Sequence, residues 1–149
     1  MESYDYSYGE IVQAVGPIVD VKFKKEHLPK LLTALVVEMD KDHTLTIEVL
    51  QHIGDDVVRG VSMGSTDGLV RGMKVKNTGS PITVPVGDIT LGHMFNVLGE
   101  PIDGIDIDYT KCERMPIHRQ APKFEDQNTS TEILETGIKV IDLLCPYVK

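Results

Sequence analysis

A chain of 149 residues with a net charge of −8, 41% hydrophobic residues and no tryptophan has the composition of a globular protein of about one domain. The acidic balance holds in both halves, which argues against a binder of nucleic-acid backbones, since such proteins cluster Lys and Arg to displace counterions. No apolar run approaches the roughly 18 residues of a membrane-spanning helix, and "MESYDYSYGE" at the start resembles neither a secretory signal nor a transit peptide.

From Gly9 to Val86 the hydrophobic pattern has period two, the signature of strands with one face in a core. In "IVDVKF", Val19, Val21 and Phe23 share one face while Asp20, Lys22 and Lys24 share the other. Leu35, Val37 and Met39, then Leu45, Ile47 and Val49, alternate with polar residues on either side of "DKDH", which predicts a hairpin. Val57, Val61 and Met63 continue the apolar series, followed by Met73 and Val75, then Ile82, Val84 and Val86. In "RGVSMGSTDGLVRG", Gly60, Gly64, Gly68 and Gly72 recur every fourth residue. Ser65, Thr66, Asp67 and two arginines exclude a membrane helix seam there, leaving turns and positive backbone angles between strands. Short strands at near-regular spacing favour a small closed antiparallel barrel, because closure removes exposed edges.

At Asp88 the period changes. "GDITLGHMFNVLGEP" predicts a short amphipathic helix with Asp88 as N-cap, a stripe of Leu91, Met94, Phe95 and Leu98, and Gly99 and Pro101 as stop signals. Residues 100 to 130 are polar and turn-rich and read as a surface connector. A second helix is expected from Thr136, with Ile138, Val140, Ile141 and Leu144 at helical spacing and Pro146 closing it.

No residue pattern carries catalysis. His27, His43, His52, His93 and His118 are scattered singly, and Cys112 and Cys145 lack metal-ligand spacing, so both cysteines read as reduced structural thiols. Glu100, Asp103, Asp106 and Asp108 crowd four carboxylates together but do not fit the twelve-residue calcium loop, so a solvated acidic turn is expected. No nucleophile has an identifiable base, and G-x-x-x-x-G-K-[ST] is absent. Catalytic, cofactor-binding and metal-ligating residues are accordingly all expected to be none within this chain.

Six stretches in collinear order, "GEIVQAVGPIVDVKF", "LTIEVLQHIGDDVVRGVSM", "GLVRGMKVKNTGSPITVPVG", "TLGHMFNVLGEPID", "IHRQAPKF" and "ETGIKVIDLLCPY", resemble the N-terminal third of the catalytic β subunits of F-type ATP synthases. "GEPID" and "DLLCPY" favour that subunit over the α subunit and over vacuolar-type or flagellar-export relatives. The resemblance implies a mainly β chain: a tail at residues 1–8, a closed six-stranded antiparallel barrel at 9–80, and at 81–149 the truncated start of an α/β nucleotide-binding domain. It implies α subunits as partners in an alternating hexamer around a central γ stalk, with no nucleic acid and no direct membrane insertion. The expected location is a peripheral assembly on the cytoplasmic face of a bacterial inner membrane, or on an organelle inner membrane. In the family, the phosphate-binding loop, its Lys and the catalytic Glu follow the segment resembling "ETGIKVIDLLCPY". ATP, ADP and magnesium are therefore implied for a complete subunit, while these 149 residues are expected to be inactive alone. Two other readings compete: a free-standing barrel for a ligand or single-stranded nucleic acid, and a noncatalytic relative in the same hexamer family.

Overall fold

The computed structural model describes residues 7–39, 43–104, 112–126, 130 and 132–148. They fall into two compact units, Met1–His118 and Arg119–Lys149.

The first unit is built on a closed antiparallel barrel. Its strands are β1 (Tyr8–Val15), β2 (Ile18–Lys22), β3 (Thr33–Glu38), β4 (Thr44–Gly54), β5 (Val57–Ser62) and β6 (Lys74–Pro81), arranged in the order β1-β2-β5-β4-β3-β6. Pairing of β6 with β1, Gly9 opposite Val75 and Glu10 opposite Lys74, closes the ring, so no barrel strand is left as an open edge. The six-stranded barrel expected from the sequence is what the chain forms.

Alternation places the predicted residues inside. Val19, Val21, Leu35, Val37, Ile47, Val49, Val58 and Val75 are fully buried, with Ile11, Phe23 and Leu45 completing the core, and Leu28, Met39, Leu69 and Met73 packing against it. Each such side chain contributes about 1.5–3 kcal/mol by leaving water, which makes the barrel the energetic centre of the unit.

Strand β5 differs from the expectation. Its inward residues are Val58 and Gly60, while Val57 and Val61 lie half-buried on the outer side. The turn before it explains the phase: Gly54, Asp55 and Asp56 all have positive φ, and β4 carries two bulges that skip Leu50 and Ile53. Gly60 takes a core position because an added Cβ would lie 2.5 Å from Ile47 Cγ2 and 2.6 Å from the Glu48 carbonyl oxygen. Of the four spaced glycines, Gly68 and Gly72 do have positive φ, while Gly60 is a strand residue.

Residues 82 onward leave the ring. β7 (Thr83–Pro85) pairs with β8 (Arg114–Pro116) in a separate ribbon, with Val84 opposite Met115. The amphipathic helix expected from Asp88 to Leu98 is not formed. A 3-10 turn at Asp88–Thr90 stops at Leu91, which is extended, and Gly92 follows with φ 78°. Asp88 is inside that turn rather than its cap, and no side-chain cap bond is present. Leu91 and Met94 stand 72% and 61% exposed, so the expected stripe has no buried face. Asn96 organises the following loop instead: its Oδ1 accepts from the Leu98 and Glu100 amides, its Nδ2 donates to Glu100 Oε2, and Phe95 bridges Pro101.

In the second unit, a short ladder pairs β9 (Ile133–Leu134) with β10 (Tyr147–Val148) and encloses α1 (Lys139–Leu144). The helix starts three residues after Thr136, with Ile138 flanking it, and ends before Pro146 as expected. Asp142 ties its entry by accepting from the Thr136 hydroxyl at 2.6 Å, the Thr136 amide at 3.1 Å and the Gly137 amide at 3.0 Å. These bonds, the Thr136 hydroxyl first, hold the Asp142 carboxyl below its ordinary range. Ile138, Val140, Leu143 and Leu144 face solvent.

Candidate functional site

Three polar pairs stand out among the described residues of the first unit. On the barrel wall, Asp20 of β2 faces Arg59 of β5 across a paired register position, and the guanidinium forks onto the carboxylate through Nε and Nη2, both at 2.8 Å. Asp20 is buried although the sequence placed it on the polar face. The Arg59 hydrogen bonds, outweighing the cost of burial, hold its carboxyl below the usual range, and the same bond raises the arginine. The groove beside them, lined by Gln13, Val15 and Ile18, opens to solvent and holds no nucleophile.

In the second pair, His118 Nε2–H donates to Glu48 Oε2 of β4 at 2.7 Å. In the third, His93 Nδ1–H donates to Asp103 Oδ2 at 2.7 Å, and the Met94 amide reaches the same oxygen at 3.4 Å. A histidine oriented by a carboxylate is half of a hydrolytic triad, yet no serine or cysteine bonds to either ring among the described contacts. His52 donates to the Pro29 carbonyl and acts as a structural tie between β4 and the segment before β3.

The four clustered carboxylates do not converge where they are described: Asp103 is engaged by His93, Glu100 by Asn96, and Asp106 and Asp108 lie outside the described residues. Among the described residues no group of three or more His, Cys, Asp or Glu could hold a metal ion, and Cys112 and Cys145 are both free thiols. Nor does the barrel offer a base-stacking platform. Phe23 is 3% exposed and belongs to the core, which leaves Tyr8, beside Lys74 and Lys76 but also Glu38, as the aromatic in solvent among the described barrel residues.

What the barrel does present is apolar wall. Leu50 and Ile53, the residues skipped by the two β4 bulges, are 47% and 41% exposed. The Leu32 amide donates to the Val49 carbonyl at 2.7 Å, which ties the segment holding exposed Leu31 and Leu32 to β4. Leu32 has φ 62°, a costly backbone for a leucine. Sequence reading missed the exposure of Leu50 and Ile53, because bulges break the alternation from which exposure is inferred. Among the described residues no helix is long and apolar enough to cross a membrane.

The closed six-stranded barrel has a counterpart among known families. Residues 11–79 match the family model described as ATP synthase alpha/beta family, beta-barrel domain, and the match begins and ends within β1 and β6. Over those residues the chain is similar to the beta-barrel domain of the ATP synthase alpha/beta family.

Proposed function

We propose that the chain is the N-terminal part of a catalytic β subunit of an F-type ATP synthase, and that its barrel serves assembly: it joins the barrels of α subunits in an alternating hexamer around a central γ stalk. The observation that supports this most directly is the family match over the closed barrel, residues 11–79. Beyond the barrel, "GEPID" and "DLLCPY" are the stretches that favour the β subunit. In this reading ATP, ADP and magnesium are bound by the complete subunit and by no residue of this chain. The assembly sits peripherally on a membrane, on the cytoplasmic face in a bacterium. Leu31, Leu32, Leu50 and Ile53 supply apolar contact surface.

Mixing the 149-residue chain with a matched F-type α subunit, followed by sedimentation and ATPase assays, tests the proposal. A mixed complex without hydrolysis by the chain alone is expected, and Leu50→Asp with Ile53→Asp should weaken the complex while the chain still folds. Turnover of ATP by the isolated chain, or no association at micromolar concentrations, would overturn the reading.

A further inference from the structure

Strand β4 carries on its outer side a carboxylate that water scarcely reaches: the Glu48 side chain is 7% exposed. Its cross-strand neighbours are Ala34 on β3 and Val61 on β5, neither of which has a side-chain donor. A buried carboxylate without a donor is strongly disfavoured. The donor comes from 70 positions along the chain, as His118 Nε2–H, and that histidine is 41% exposed.

His118 lies two residues beyond β8. The Ile117 amide donates to the Ile82 carbonyl at 3.0 Å, the Val86 amide donates to the Glu113 carbonyl at 2.9 Å, and Ile82 is 4% exposed. Arg114 knits the ribbon to its loop by donating to the carbonyls of Thr83 and Leu98. The ribbon is thus internally bonded, and a side-chain bond from His118 to Glu48 ties its end to the barrel wall.

We infer that the β7–β8 ribbon is a strap laid on the barrel and latched by the His118–Glu48 bond, able to open without the barrel core opening. Opening the latch hydrates Glu48 and uncovers the stretch of β4 around it. The bond is therefore a switch point between a covered and an uncovered barrel wall. This holds whether or not the chain assembles with α subunits.

Hydrogen exchange on the full 149-residue chain tests the latch. His118→Ala is expected to speed exchange at Ile117 and Val86 about tenfold, while the core amides of Val21 and Val37 stay as slow as before. Glu48→Leu removes the buried charge and should also speed the ribbon amides, and adding His118→Ala in that background should then change nothing further. Unchanged exchange at Ile117 and Val86 in His118→Ala would overturn the inference, as would additive effects of the two substitutions. Equal acceleration of ribbon and core amides would reduce the pair to a general stabiliser and overturn it as well.

Discussion

At the scale of single residues, two positions on β2 and β5 behave differently from their neighbours because of what each must exclude. Asp20 is a buried carboxylate kept ionised by the forked Arg59 bond, so its folded-state pKa lies below the unfolded value. A depressed carboxylate contributes stability that is fully present above the unfolded value of about 3.9 and is lost as pH falls through the folded one. The stability difference between the wild-type chain and Asp20→Asn should therefore be largest above about pH 5 and shrink as acid is added. Urea unfolding at a series of pH values measures it, and a difference independent of pH would contradict the assignment. Gly60 has the opposite character, since it is set by space rather than charge. A methyl group there would press on Ile47 Cγ2 and on the Glu48 carbonyl, and the backbone contact cannot be relieved by a rotamer change. Gly60→Ala is expected to destabilise the barrel by about 1–3 kcal/mol, read as a fall in the urea midpoint.

Among the elements, alternation was a sufficient guide wherever a strand runs straight between regular turns. β2, β3 and the first half of β4 carry the predicted inward sets, because a period-two pattern leaves one solution when one face must be dry. Legibility stopped where backbone geometry, not side-chain hydrophobicity, decides. β5 hides an inward position in Gly60, which has no side chain to signal it, and the β4 bulges reset the register. From Leu91 to Leu98 the apolar residues fall at helical spacing, yet Gly92 in the left-handed region and the side-chain bonds of Asn96 favour successive turns. The Glu48–His118 bond could not be read from the sequence, since its partners lie on segments that only the tertiary fold brings together. If Asn96 is the organiser of its loop, Asn96→Ala should cost about 1–2 kcal/mol in the unit that contains it and speed exchange at Leu98 and Glu100, whereas Val97→Ala, at an exposed position, should do neither.

For the molecule as a whole, burial is unevenly shared between the two units. Every residue of the barrel core cluster lies between Ile11 and Val75, while in the second unit Phe124, Leu143 and Leu144 are 88%, 79% and 80% exposed. Stability and stickiness should therefore respond to different substitutions. Ile47→Ala removes fully buried methylene and methyl groups from the barrel and is expected to cost about 2–5 kcal/mol, a large share of a small domain's stability. Leu143→Gln with Leu144→Gln removes apolar surface already in water, so the unfolding midpoint should shift by no more than about 0.5 kcal/mol. Concentration-dependent association should decline in that variant, because exposed apolar side chains grouped on one short helix drive self-association. Ile47 is buried and Leu143 and Leu144 are already in water, so combining the substitutions should give additive changes in stability. Denaturant titration and sedimentation of the single and combined variants measure both quantities. If the glutamine pair lowered the barrel's midpoint as Ile47→Ala does, the second unit would be part of the same cooperative core, contrary to the division at His118.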